Sequence, residues 1–69
     1  MISYTRHAKD QMRDRSISKA EVEACLNNYN VTWTDKKGNP IYIAHLPSGR
    51  RIKVVVKKEN PKVIITVAD

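Results

Sequence analysis

Arg50–Lys58 reads RRIKVVVKK. It alternates: Arg51, Lys53, Val55 and Lys57 fall on one side of an extended chain, and Ile52, Val54 and Val56 on the other. Strand side chains alternate faces with period two, so this stretch predicts a half-buried strand with a row of cations on its free face. Pro47-Ser48-Gly49 is a tight turn just before it, so Ile41–Leu46 should be an antiparallel partner. Lys37-Gly38-Asn39-Pro40 turns back to a further strand, Val31–Asp35, rich in β-branched and aromatic residues. After a turn at Glu59-Asn60-Pro61, Val63–Val67 completes a four-stranded antiparallel meander.

The N-terminal half has helical spacing. Tyr4, Ala8 and Met12 mark a helix over residues 5–14, with a short extended piece at Ile2–Tyr4 before it. Ser18-Lys19-Ala20-Glu21 is a capping-box pattern opening a second helix, whose apolar stripe is Val22, Cys25, Leu26 and Tyr29. The asparagine-rich run Asn27–Asn30 ends it. Two helices followed by a meander describe an α+β domain with both helices on one sheet face. Ile52, Val54 and Val56 should lie under the helices beside Val63, Ile65 and Val67, leaving Arg51, Lys53, Lys57 and Thr66 on the open face. A one-residue slip would reverse the last strand.

Sixty-nine residues make one domain, 1–69, with a small core. One cysteine, Cys25, excludes an internal disulfide and a thiolate metal cluster. With no apolar leader and no run long enough to span a bilayer, the expectation is a soluble cytoplasmic protein.

Charge is divided unevenly. Residues 1–35 hold five basic and five acidic groups, whereas residues 36–69 hold eight basic groups against Glu59 and Asp69. The net charge of +6 therefore belongs to the strand-forming half. That is the footprint of a nucleic-acid-binding surface. It also suits an acidic protein partner, and strand cations also keep a sheet edge from pairing with other chains. An anionic membrane is less well matched, because the cations lie on strands and not on an amphipathic helix.

Tyr4-Thr-Arg-His-Ala8, Met12-Arg-Asp-Arg15 and Ile17-Ser18 before a helix resemble the opening of small domains of unknown function related to the BrnT and RelE toxins. Arg51–Val56 and Val63-Ile-Ile-Thr-Val67 resemble their last strands, so the resemblance covers nearly the whole chain. It implies the RelE/BrnT-like fold, shared with barnase, EndoU and colicin nucleases. It implies a toxin-type, metal-independent ribonuclease, in which a ribose 2′-hydroxyl attacks the adjacent phosphate to leave a 2′,3′-cyclic end. RNA, free or on the ribosome, is the partner implied, together with a silencing antitoxin protein; no cofactor is expected. The sequence departs from RelE-like enzymes in having no residues after Asp69 to match those they carry past the last strand.

Such chemistry needs an acid–base pair and cations for the developing phosphate charge. His7 matches the histidine of the opening motif and lies about 100° from the apolar stripe, at the core's edge. It is the acid–base candidate, or else a helix-border histidine bonded to the backbone. Lys53 and Arg51 are the catalytic phosphate ligands, or else solvated strand charges. Arg13, Arg15, Lys57 and Thr66 are further RNA-binding candidates. A continued helix would place Arg15 on the apolar stripe, which favours a structural anchor over a ligand. Thr66 equally suits an ordinary strand position. His45 shares a face with Ile41 and Ile43, which favours packing. Two histidines without ligand spacing do not make a metal site. Trp33, Tyr42 and Tyr29 could stack on bases. The alternatives to an enzyme are a non-catalytic nucleic-acid-binding module and a domain that docks an acidic protein; apolar sheet edges also allow a homodimer.

Overall fold

A computed structural model describes residues 2–69. The element order is β1 (Ser3–Tyr4), α1 (Arg6–Asp14), α2 (Lys19–Asn27), β2 (Val31–Thr34), β3 (Pro40–His45), β4 (Arg51–Lys57) and β5 (Asn60–Ala68). The α+β class and the helix-covered sheet agree with the sequence reading. The sheet does not: it has five strands, ordered β1-β5-β4-β3-β2, and is mixed. The expected extended piece before the first helix pairs parallel with β5, Ser3 opposite Val63 and Tyr4 opposite Ile64. Two residues are too few to show a periodicity, so the pairing could not be read beforehand.

Local chemistry sets the helix boundaries. At the start of α1 the Thr5 hydroxyl accepts from the Ala8 amide at 3.2 Å. At its end Ser16 takes a left-handed φ of 54°. The Ile17 amide then reaches back to the Met12 carbonyl and the Ser16 amide to that of Arg13, the paired bonds of a Schellman ending. The capping box at Ser18 and Glu21 is complete: the Ser18 hydroxyl accepts from the Glu21 amide at 3.1 Å, and the Glu21 carboxylate from the Ser18 amide at 2.9 Å. Helix α2 ends at Asn27, so Tyr29 falls outside the stripe expected for it and is exposed, its ring 5.0 Å from that of Tyr42.

The main core lies between helices and sheet. Ala8, Met12, Ile17, Val22 and Cys25 meet Ala44, Ile52, Val54, Val56, Ile64 and Val67. Burial pushes the Cys25 thiol up to about 11, so it is a small core hydrophobe and not a nucleophile. The Gln11 side-chain oxygen accepts from the Val67 amide at 2.9 Å and ties α1 to β5.

The β4–β5 ladder corrects the expected facing. Lys57 pairs with Asn60 across a two-residue loop, so β5 begins three residues earlier than Val63. Val56 then pairs with Ile64, but Val55 pairs with Thr66, leaving Ile65 as an extra residue. This bulge puts Ile64 and Val67 under the helices, where Ile64 is fully buried. Ile65 instead joins Ile41, Ile43 and Val55 in a second apolar cluster on the open face. Pro61 has no amide to give a ladder, which fits its place in the irregular stretch. Val67 and Thr66 face as expected, while Ile65 and Val63, which line the same open depression, do not.

Candidate functional site: the open sheet face

Register fixes what the open face presents. Trp33 opposes Ile41, and Ile41 opposes Val55; Ile43 opposes Lys53, and His45 opposes Arg51. Val31, Trp33, Ile41, Ile43, His45, Arg51, Lys53 and Val55 therefore share this face with Ile65 and Thr66 of β5. The free side of β4 is thus not an unbroken cationic row. Val55 is buried in the small apolar cluster, and Lys53 is half-buried beside it.

Lys53 and Thr66 come together. Both line an open depression of about 480 Å³, with Asp35, Lys36, Lys37, Asn39, Ile41, Val55 and Ile65. A second depression of about 420 Å³ adjoins it through Lys37, Asn39 and Ile65, and adds Thr5, Lys57, Lys58, Glu59 and Val63. Five lysines, 36, 37, 53, 57 and 58, thus border one concave surface. None of them is ion-paired among the described residues.

Three of the five sit on turns that are held in place. In the β2–β3 turn, one Asp35 carboxylate oxygen accepts from the amides of Lys37 and Asn39 at 2.8 and 2.9 Å. The other accepts from the Asn39 side-chain amide at 3.2 Å. The Asn39 backbone N–H, then its side chain and the Lys37 amide, hold the Asp35 carboxyl below its ordinary range. Gly38 completes the turn at φ 87°, a conformation that suits glycine. The Asn39 side-chain oxygen in turn accepts from the Lys58 amide at 3.1 Å, tying this turn to the β4–β5 turn. The carboxylate in the depression is therefore occupied in holding backbone and is not free to act as a base.

Three arginines behave differently. Arg50 donates to both Glu21 oxygens at 3.2 and 3.3 Å, to Asp69 at 2.9 Å, to the Ser16 carbonyl at 2.9 Å and to the Arg15 carbonyl. Arg15 pairs with Asp69 at 3.3 Å. Arg13 pairs with Asp10 and Asp14 at 3.5 and 3.2 Å on the exposed side of α1. The Ser18 amide holds the Glu21 carboxyl low with help from Arg50, and Arg50 does the same for Asp69.

The other candidates are placed as follows. Arg51 is exposed on the open face but lines neither depression. Lys57 lines the second depression. His7 is exposed on the first turn of α1 and lines neither; its near neighbour Thr5 reaches the rim of the second. His45 is exposed at the end of β3, not packed. Of the three aromatics, only Trp33 lies on the open face; Tyr42 packs against the main core. Among the described residues no cluster of side chains suits a metal ion, and no helix is long and apolar enough to cross a membrane. Lys36, Lys37 and Lys58 were not singled out from the sequence. The signal was there in Asp35-Lys-Lys-Gly-Asn39, where an aspartate two and four residues before its amide partners and a glycine between them define a tight loop.

No curated protein and no solved structure matches the chain. A family model matches residues 4–69, which takes in both helices and four of the five strands whole. The chain therefore belongs to the family described as a domain of unknown function (DUF4258).

Proposed function

We propose that this domain engages the phosphate backbone of RNA on its open sheet face and is a toxin-type ribonuclease of the RelE/BrnT kind. One observation carries the binding step: five lysines without ion-pair partners among the described residues converge on adjoining depressions, while Arg13, Arg15 and Arg50 on the helical side are matched to carboxylates. Lys53 is the central ligand. It is half-buried, with Ile43 and Ala68 as its ladder neighbours, so a phosphate drawn to it meets a less screened charge than at a fully exposed lysine. Thr66 offers a hydroxyl in the same depression.

The cleavage step rests on the resemblance of the opening and closing motifs. A 2′-hydroxyl attacks the neighbouring phosphate, Lys53 and Arg51 stabilise the charge that develops, and His7 carries a proton from the rim. An antitoxin would silence the enzyme in the cytoplasm by covering the open face. The position of His7 outside both depressions favours a second reading, a binding module without catalysis.

Induction in bacterial cells with mapping of new RNA 5′ ends tests the proposal, because it keeps ribosome-dependent activity visible. New ends from the wild type that vanish in Lys53→Ala and fall in His7→Ala are expected. Full cleavage by both folded variants contradicts the catalytic assignment. RNA that co-purifies without new ends selects the binding module.

A further inference from the structure

Trp33 is the one tryptophan of the chain, and 45% of its surface is exposed on an edge strand. An aromatic of this size is normally hidden in a small domain, and Tyr42 on the neighbouring strand is packed against the core. Trp33 is placed on the open face by its register opposite Ile41, a wall of the Lys53 depression. Strands β2 and β4 are two strand spacings apart, roughly 10 Å. An exposed indole thus stands beside a lysine-lined concavity on one surface. These are the two components with which proteins hold single strands: a base stacks on the aromatic while cations follow the backbone. In a duplex the base faces are occupied by their neighbours, so the indole has nothing to stack on.

We infer that the open face selects single-stranded RNA, with an unpaired base stacked on Trp33 while an adjacent phosphate lies at Lys53. This rests on the RNA-binding reading above and adds the strandedness of the ligand and a specificity residue. Charge and the indole together favour this occupant: five lysines without ion-pair partners among the described residues suit a polyanion, and a single strand also offers base faces to Trp33.

The full chain can be titrated with three probes of equal length: a mixed-sequence single-stranded RNA, the corresponding duplex, and an abasic strand with the same phosphates. The anisotropy of a dye on each probe reports binding for every variant, and tryptophan emission excited beyond tyrosine absorption reports Trp33 alone in the wild type. The single strand is expected to quench it, and the abasic strand and duplex to bind more weakly without quenching. Trp33→Ala should weaken single-strand binding about fivefold to a hundredfold, leave abasic binding unchanged and keep the salt slope. Trp33→Tyr, which keeps an aromatic face at an exposed position, should recover most of the loss and guards against a folding defect. Binding that depends on Lys53 but is equal for wild type and Trp33→Ala overturns the inference and leaves the reading standing. Absence of any RNA binding by the wild type overturns both. A fluorescence shift with protein concentration alone, without RNA, assigns β2 to a self-interface and also overturns it.

Discussion

Lys53 and Arg50 stand three positions apart on one strand and its lead-in, and the fold uses them in opposite ways. Arg50 has its guanidinium filled by two carboxylates and two carbonyls, so its charge is spent on joining the α1–α2 corner to the end of β5. Arg50→Ala should lower the urea midpoint and leave RNA affinity per folded molecule unchanged. Lys53→Ala should do the reverse: near-neutral stability, and a salt slope for single-strand binding smaller by about 0.7. If both variants lose affinity equally, the distinction between structural and ligand cations fails. Ser16 offers a separate test. It is a non-glycine residue at φ 54° whose side chain makes no hydrogen bond among those described, so Ser16→Gly should stabilise by about 1 kcal/mol. A lowered melting temperature would show that Ser16 contributes something its backbone does not reveal.

Elements were legible in the sequence where a regular period or a cap named them. The Ser18–Glu21 box marked the start of α2, and the alternation of β4 placed Lys53 on the free face. What escaped were interruptions of period. The bulge at Ile65 sends two successive isoleucines to opposite cores, and nothing in Val63-Ile-Ile-Thr-Val67 says which residue is the extra one. The pair can be tested: Ile64→Ala, at a fully buried position, should cost about 2–5 kcal/mol, and Ile65→Ala distinctly less. The reverse order would mean an unbroken ladder. The site was half legible for a related reason. Strand cations declare their side by alternation, but turn lysines such as Lys36, Lys37 and Lys58 look like ordinary solvated charge. The Asp35–Asn39–Lys58 hydrogen bonds, which join two turns distant in sequence, hold them along two adjoining depressions, one of which Lys53 lines.

Across the whole molecule, charge is sorted by layer. The helical side pairs Arg13, Arg15 and Arg50 with Asp10, Asp14, Glu21 and Asp69, and the net +6 is left mainly with the sheet and its turns. Glu21, Asp35 and Asp69 all have carboxyl groups held below their ordinary values of 4.5, 3.8 and 3.8. A carboxyl whose pKa falls on folding contributes stability that is complete above the unfolded value and is lost as pH falls through the folded one. Urea unfolding should therefore be flat from pH 7 to about pH 5 and weaken progressively below about pH 4, and Arg50→Ala should show a smaller acid loss. A stability that rises on acidification would contradict the pairing. The same sorting leaves the open face with more lysines than its carboxylates Asp35 and Glu59 can balance, which favours a polyanionic partner. The affinity of the full chain for a single-stranded RNA, measured as a function of salt in the wild type and in a Lys36/Lys37/Lys53→Ala variant confirmed to fold, tests this most directly. The wild type should lose affinity steeply and linearly in log salt, and the variant should bind weakly with a slope smaller by about 2. Equal slopes and equal affinities would show that RNA, if it binds, does not use this face.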